Sequence, residues 1–229
     1  MTVPVICVDG PSGAGKGTLS QLLSQHLGWH LLDSGALYRV VGHAAERSGI
    51  AWEDEAAVAD IARHLAVGFT PTDSGVAVAL EGNDVTAAVR SEHRGKGASA
   101  VAALPAVRAA LLDRQRELAV LPGLIADGRD MGTTVFPDAP LKIFLTASAE
   151  ARAERRMAQL LARGESVSLP RLLEAIKERD ARDMGREASP LSAAEDAVTL
   201  DSTTLSIDEV FSRVLELMAA RGLGKRASG

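Results

Sequence analysis

Residues 10–18 read Gly10-Pro11-Ser12-Gly13-Ala14-Gly15-Lys16-Gly17-Thr18, and they directly follow the apolar run 3–8. A buried strand, a glycine-rich turn and a helix in this order are the context of a phosphate-binding loop. Glycines let the backbone surround an anion with its N–H groups, because they carry no Cβ atom. Lys16 would reach the β- and γ-phosphates, and a helix from Gly15 to about Leu27 would point its positive dipole end at them. The stretch therefore predicts a nucleotide-binding loop.

The end of this loop departs from the general pattern at one position. Gly17 follows the lysine, and the hydroxyl arrives only at Thr18. This spacing leaves open whether Thr18 binds Mg²⁺ directly or whether phosphates and water hold the metal. Asp127, at the end of a later apolar run, could orient a magnesium-bound water or cap the following turn. A loop that only packs a strand against a helix would not need four glycines and a lysine in this register.

Length and composition limit the possible classes of protein. The 229 residues can form one domain with insertions and bury a large core. The net charge is −5, so no overall positive field attracts nucleic acid. Cys7 is the only cysteine, which excludes a disulfide within the chain, and the five histidines lack metal-ligand spacing. No cationic segment precedes the first apolar run and no apolar segment reaches membrane-spanning length, so we expect a cytoplasmic protein.

Short apolar runs alternate with helical stretches along the chain. The runs 3–8, 123–127, 141–146 and 197–201 are almost continuously apolar, which indicates strands that are covered on both faces. The last helix begins with a capping box at 206–209. The pattern predicts an α/β fold of the P-loop NTPase type, with a parallel central sheet flanked by helices.

Two segments interrupt this alternation. Residues 67–90 carry the alternating run 76–80 between turn-forming stretches, so we expect a small β-meander inserted into the main fold. Residues 163–170 contain glycine and serine between two charged helices, predicted at 149–162 and 170–184. Such a hinge between arginine-rich helices is typical of a lid.

Two charged clusters lie where they could bind a second anion. The first, 33–39, follows a short apolar run and starts a helix, whose N-terminal donors and Arg39 could hold an anion. The second, 126–133, leaves the C-terminal end of a buried strand, where ligands bind in open α/β sheets.

A third cluster places Arg179, Arg182 and Arg186 along one helical face if the helix continues that far. Ordinary pairs four residues apart, Glu178 with Arg182 and Arg179 with Asp183, offer a rival explanation. Three arginines beyond a lid hinge favour stabilisation of charge in a transition state.

Four stretches together resemble the bacterial cytidylate kinases, a group of nucleoside monophosphate kinases. They are the loop at 10–18, Leu-Leu-Asp-Ser-Gly-Ala-Leu-Tyr-Arg at 31–39, Ala-Asp-Gly-Arg-Asp-Met-Gly-Thr at 126–133 and Lys-Glu-Arg-Asp-Ala-Arg-Asp at 177–183. The Lys-Gly-Thr ending of the loop is the usual form in these kinases. The resemblance extends from the first strand to the last helix.

This resemblance implies phosphoryl transfer from ATP, with Mg²⁺, to CMP and dCMP in pyrimidine nucleotide metabolism. It also implies a three-part molecule. The core would comprise 1–32, 109–155 and 171–229, the monophosphate-binding part 33–108, and the lid 156–170.

The resemblance further assigns residues to the acceptor nucleotide. By motif matching they are Ser34, Arg39, Ser99, Arg108, Arg129, Asp130, Arg179, Asp183 and Arg186. Cytosine presents an amino donor beside N3 and O2 acceptors, so a carboxylate next to an arginine complements it. Asp130 with Arg108 and Ser34 would suit that edge. Arginines at 39, 129 and 186 would bind the phosphate, which leaves Arg179 and Asp183 as candidates to contact the sugar hydroxyls.

The acceptor phosphate is already ionised near neutral pH, so the predicted reaction needs no general base. Catalysis would come from alignment of two anions and from cancellation of charge on the transferred group. The catalytic candidates are Lys16, Arg155, Arg182 and Arg186.

Other classes of function have weaker support in the sequence. A kinase with another acceptor, such as AMP or a small metabolite, is the nearest alternative. A nucleotide-dependent switch would fit less well, because an Asn-Lys-x-Asp guanine motif is absent. An RNA-binding module would need stacking aromatic residues, whereas this acidic chain has a single tyrosine. We expect small-molecule substrates, no nucleic-acid or membrane partner, and a monomer.

Overall fold

The computed structural model describes residues 3–72, 75–162 and 164–224. The chain divides into two compact units. The larger unit contains the described parts of Met1–His30 and Ala119–Gly229, and the smaller unit contains those of Leu31–Leu118. Arg163 of the predicted hinge and residues 73–74 of the predicted meander lie outside the described residues.

A parallel sheet of five strands forms the centre of the fold. Its strands are β1 (Val5–Asp9), β2 (His30–Asp33), β6 (Leu124–Gly128), β7 (Leu141–Thr146) and β8 (Val198–Asp201). Their order is β2-β6-β1-β7-β8, and β1 pairs in parallel with both β6 and β7. Every residue of β1 and β6 is buried, Cys7 included, because both strands have neighbours on each side and helices on each face.

The fourth predicted strand is less covered than its apolar sequence indicated. Residues of β8 alternate between half-buried and exposed, because β8 lies at the edge of the sheet and pairs only with β7. The predicted strand starts at 3, 123 and 197 also differ slightly from the observed starts at 5, 124 and 198.

Four helices of the larger unit carry much of the candidate site. They are α1 (Lys16–Leu27), α7 (Ala149–Leu161), α8 (Leu169–Met184) and α9 (Ile207–Ala220). The predicted capping box of α9 is confirmed, because the Ser206 hydroxyl accepts from the Glu209 N–H and the Glu209 carboxylate accepts from the Ser206 N–H. Among helices in the described residues, none has the length and apolar character needed to cross a bilayer.

Helices and a small sheet build the smaller unit. The helices are α2 (Ser34–Arg47), α3 (Glu55–His64), α4 (Thr86–Val89), α5 (Glu92–Val101) and α6 (Pro105–Glu117). The strands β3 (Val67–Thr72), β4 (Gly75–Leu80) and β5 (Asn83–Asp84) pair antiparallel in sequence order, which confirms the predicted meander. Val78 and Leu80 of β4 are buried in the same apolar core as helices α2 and α3.

Two boundaries predicted for the parts of the molecule fall inside helices. Residue 108 lies within α6, which belongs wholly to the smaller unit, and residue 156 lies within α7. The resemblance implied these boundaries, whereas the compact units are separated where contacts between segments are sparse.

Candidate active site

The carboxyl ends of β1 and β6 lie side by side, and each leads into a predicted cluster. The register pairs Val8 with Asp127 and Asp9 with Gly128. The phosphate-binding loop therefore leaves β1 next to the turn that carries Arg129 and Asp130. This is the edge of the sheet where ligands bind in open α/β folds.

The glycine-rich loop connects β1 to α1 as predicted. Gly10 has a φ of 143°, and a Cβ atom there would overlap the carbonyl oxygen of Leu145 on β7. A glycine is therefore required for the loop to pass this closely over the neighbouring strand. The loop ends at the N-terminus of α1, whose backbone N–H groups and dipole favour an anion.

Lys16 is buried at the first position of α1. Its Nζ atom donates to the Pro11 carbonyl oxygen at 3.0 Å and lies 4.0 Å from Oδ1 of Asp127. Burial, followed by the nearby positive charge of Arg129, lowers the pKa of Lys16 to about 8. The ammonium group of Lys16 thus lies against the phosphate-binding loop, at the N-terminus of α1.

A cavity of about 670 Å³ adjoins the loop. Its lining combines the polar loop with apolar side chains that include residues of α7 and α9, which suits a phosphate chain joined to a flat apolar group. The lining residues are Ser12, Gly13, Ala14, Gly15, Lys16, Gly17, Thr18, Leu145, Arg155, Ala158, Gln159, Ser202, Leu205, Ser206, Ile207 and Val210.

Arg155 lies in the wall of this cavity. Its Nη1 atom donates to Oγ of Ser202 at 3.2 Å, and Nη2 donates to the Ser202 carbonyl oxygen. The Ser202 hydroxyl in turn donates to the carbonyl oxygens of Ala14 and Thr146, each at 3.0 Å. Arg155 belongs to α7, and these bonds hold its side chain beside the phosphate-binding loop, where it can contact a bound nucleotide.

Asp9 is a buried carboxylate that sequence reasoning missed. Its oxygens accept from the backbone N–H groups of Met131 and Gly132, each at 2.8 Å. Burial raises the pKa of Asp9 to about 6, although the two N–H bonds oppose this shift. Asp9 thereby fixes the turn after β6, which holds Arg129 and the buried Asp130. Only its position before the loop could have suggested this role, because its partners lie more than 120 residues away.

Three residues predicted to bind the acceptor contact one another. Nε of Arg129 donates to Oδ2 of Asp183 at 2.9 Å, and Nη2 of Arg186 lies 3.6 Å from Oδ1 of Asp183. Burial alone would raise the pKa of Asp183, but the charges of Arg129 and Arg186 outweigh it, so this pKa lies below its ordinary value. The cluster presents two guanidinium groups around one carboxylate.

The three arginines of the third cluster would share one helical face only if the helix continued as far as Arg186, and it does not. Helix α8 ends at Met184, so Arg186 lies beyond it and turns back to donate from Nε to the Asp183 carbonyl oxygen. Gly185 forms the cap where the helix stops. Arg182 is exposed and donates from Nε to the Glu178 carbonyl oxygen at 3.4 Å. Arg179 is half-buried, and its charge lowers the pKa of both Lys16 and Asp183.

Replacement of Asp183 by asparagine is expected to lower the free energy of unfolding by at least about 1 kcal/mol at pH 7. The folded pKa is below the unfolded value of about 3.9, so this contribution is full above that value and is lost as the pH falls through the folded pKa. The free-energy difference between the two proteins should therefore be constant from pH 5 to 7 and shrink below about pH 4. Urea unfolding at each pH measures it, and a difference that grows on acidification would contradict the assignment.

In the smaller unit, Ser34 and Arg39 both belong to α2. Ser34 is buried at the first helical position, directly after the cap Asp33, whose carboxylate accepts from the Ala36 N–H. Arg39 is half-buried, and its Nη1 atom donates to the carbonyl oxygens of Val89 and Ser91.

The remaining predicted residues of the smaller unit lie on α5 and α6. The Ser99 hydroxyl donates to the Gly95 carbonyl oxygen at 3.1 Å. Arg108 is buried, donates to the Ala102 carbonyl oxygen, and places its guanidinium 5.7 Å from the centre of the Tyr38 ring. Burial of an arginine against an aromatic ring holds its guanidinium plane in a defined orientation.

Oxygen donors for a metal lie close to the loop. In the described part of the chain, no group of three or more histidine, cysteine or acidic residues could enclose an ion. The Asp127 carboxylate faces Gly17, and Thr18 is exposed in the same first turn of α1. Such a sparse set of hard oxygen ligands fits Mg²⁺, which keeps several waters and binds mainly to phosphates.

The fold and this site define a P-loop phosphotransferase, because a lysine-bearing phosphate loop adjoins a second cationic cluster at the same sheet edge. The sequence model for cytidylate kinase matches residues 6–220. The chain therefore belongs to the cytidylate kinase family, as the motifs predicted.

Similar proteins agree with this membership. The cytidylate kinase of Stutzerimonas stutzeri is 59% identical over 223 residues, which cover 96% of this chain and 97% of that protein. The cytidylate kinase of Shewanella denitrificans is 56% identical over 219 residues, or 95% and 96% of the two chains. A crystal structure of an uncharacterized protein from Eubacterium ventriosum superposes with a TM-score of 0.52 over 95% of this chain and 98% of that one. Its identity of 13% shows the fold alone.

Proposed function

We propose that the protein transfers the γ-phosphoryl group of ATP to CMP or dCMP, which yields ADP and CDP or dCDP for pyrimidine nucleotide metabolism. Membership of the cytidylate kinase family supports this reaction. The observation that carries it is the adjacency of two sites. Lys16 and its loop follow β1, while Arg129 and the buried Asp130 follow the neighbouring parallel strand β6.

The carboxylate of Asp130 suits recognition of cytosine. It would accept a hydrogen bond from the exocyclic amino group, whereas uracil and thymine present a carbonyl oxygen at that position. An unpaired buried carboxylate costs about 1–3 kcal/mol, which corresponds to roughly tenfold to hundredfold discrimination.

The acceptor phosphate and sugar would use the remaining predicted residues. Arg129 and Arg186 would bind the phosphate through charge-assisted bonds, while Arg179 and Asp183 would contact the sugar hydroxyls. The cluster that these side chains form around Asp183 supports this assignment, because it holds the guanidinium groups in position in advance. Residues of the smaller unit that we also assign to CMP are Ser34, Arg39, Ser99 and Arg108.

Transfer itself requires alignment and charge compensation. Lys16 would contact the donor phosphates, and Arg155 is held beside the same loop, while Arg182 and Arg186 are the further candidates for the transferred charge. Thr18 and Asp127 would hold Mg²⁺, directly or through water, and the ion would neutralise phosphate charge when bound. We keep residues 156–170 as the lid that excludes water.

The test is ADP release from ATP measured with each common nucleoside monophosphate, with and without Mg²⁺. We expect CMP and dCMP to be phosphorylated at least about tenfold more efficiently than UMP or AMP. Removal of Mg²⁺ should abolish turnover. Equal efficiency with AMP would contradict the assignment of the acceptor.

We also propose a monomer in the cytoplasm. The moderate net charge and the absence of heptad repeats in the sequence support the monomer. Sedimentation of the purified protein and fractionation of cells test the two statements separately.

A further inference from the structure

We infer that Arg152 and Asp180 form a positioning pair that couples the two nucleotide sites of the proposed kinase. Through this pair, the phosphate-binding loop and helix α8 adjust together, so that a donor nucleotide strengthens the binding of CMP. Neither residue belongs to the sets assigned to ATP, CMP or Mg²⁺ above. The inference rests on the proposed function for the identity of the two ligands.

The guanidinium group of Arg152 on α7 is buried and hydrogen-bonded to other residues of the protein. Its Nε atom donates to the Ala147 carbonyl oxygen at 3.0 Å, and Nη1 donates to the Ser12 carbonyl oxygen at 3.1 Å. Nη1 and Nη2 also bind both oxygens of the Asp180 carboxylate, at 3.0 and 2.5 Å. The residue is 4% exposed. A guanidinium group used in this way is a connector between segments.

The two segments that Arg152 connects belong to different sites. Ser12 lies in the middle of the phosphate-binding loop, and the stem of Arg152 packs beneath Gly13 of the same loop. Asp180 lies on α8 directly after Arg179 and three residues before Asp183, both of which we assign to CMP. The bidentate pair thus joins the donor loop to the acceptor helix without an intervening residue.

Donor binding would change the partners of this loop. Lys16 donates to the carbonyl oxygen of Pro11, the residue before Ser12. Phosphates of a bound nucleotide compete for the same ammonium group. Loss of the bond from Lys16 to Pro11 changes the loop segment that contains Ser12, to which Arg152 is bonded. The bidentate pair transmits this change to Asp180, because bidentate contacts of a guanidinium group tolerate little misalignment. A ligand can couple to a second site only through such a difference between states.

A second ion pair joins the same two helices and supplies a matched control. Nζ of Lys177 on α8 lies 3.4 Å from Oε1 of Glu150 on α7, and both side chains are more than half exposed. Among the described residues, this pair makes no hydrogen bond or ion pair with the loop. It therefore shares the contact between the two helices but lacks the connection to Ser12.

The experiment measures the dissociation constant of CMP by titration calorimetry, with and without a saturating non-hydrolysable imido analogue of ATP. In the unaltered protein we expect the analogue to tighten CMP binding by about fivefold or more. Asp180→Asn and Arg152→Lys should each reduce this factor to below about twofold, whereas Glu150→Gln should retain it. Thermal unfolding of each variant identifies loss of structure. If Asp180→Asn does not fold, Arg152→Lys still tests the pair, because it keeps the positive charge.

The outcomes separate the coupling from the proposed function. If the unaltered protein binds CMP equally well with and without the analogue, or if both variants keep the full factor, the coupling inference is wrong. If loss of coupling also follows Glu150→Gln, general helix packing explains it and Arg152 has no special role. If CMP does not bind to the unaltered protein under any condition, the proposed function itself fails.

Discussion

Replacement of Lys16 by alanine is expected to lower kcat for CMP phosphorylation by about 10²- to 10³-fold. The buried ammonium group is held at the loop by the Pro11 carbonyl and Asp127, where a donor phosphate would bind. Its charge is worth most in the transition state, because water is excluded there and negative charge shifts between phosphate oxygens. The dissociation constant of CMP should change by less than about twofold, since the lysine serves the donor.

Lys142 provides a matched control for the loss of a buried lysine. It is 7% exposed on β7, and its Nζ atom donates to the Asp196 carboxylate at 2.8 Å and to the Pro137 carbonyl oxygen. Lys142→Met should lower the free energy of unfolding while kcat remains within about threefold, because no phosphate contact is lost. Steady-state kinetics and CMP titration on both variants provide the measurement. Lost CMP binding with retained turnover in Lys16→Ala would refute the assigned role.

Replacement of Asp130 by asparagine is expected to lower the ratio of kcat/KM for CMP to that for UMP by about tenfold to hundredfold. The asparagine amide can donate to the uracil carbonyl, whereas the carboxylate can only accept. The substitution should therefore lower kcat/KM for CMP and raise kcat/KM for UMP, while the KM for ATP changes little. Competition between the two monophosphates at fixed ATP measures the ratio directly.

Asp127→Asn is the control for removal of a carboxylate at the same strand end. Asp127 pairs with Val8 of β1 in the sheet register and faces Lys16 and Gly17, on the donor side. Its substitution should alter the dependence on ATP and Mg²⁺ and leave the CMP to UMP ratio unchanged. If Asp130→Asn leaves that ratio unchanged, or if Asp127→Asn alters it equally, Asp130 has no specific role in base recognition.

Local patterns were sufficient to predict the elements that depend on neighbouring residues. The loop at 10–18, the α1 helix, the Ser206 capping box and the β-meander all appear as predicted. Each is specified by short-range chemistry, such as glycine conformations, caps or alternation of apolar residues. The predicted end of α8 at 184 is also confirmed, but the sequence could not show that Arg186 turns back to donate to the Asp183 carbonyl oxygen beyond that end.

The residues that sequence reasoning missed have distant partners. Arg152 bonds to Ser12 and Asp180, and Ser202 bonds to Ala14, across separations of 28 to 188 residues. No periodicity or motif records such contacts, since they arise only when helices and strands pack.

From the order of its residues alone, this chain specifies a phosphate-binding loop, a parallel sheet and membership of a kinase family, because these depend on local backbone preference and on apolar periodicity. Tertiary structure was needed to reveal that Asp9 holds the Arg129–Asp130 turn and that Asp183 gathers two arginines. Such buried charges acquire their protonation and orientation from groups that are far away in the chain, so only the packed molecule could define them.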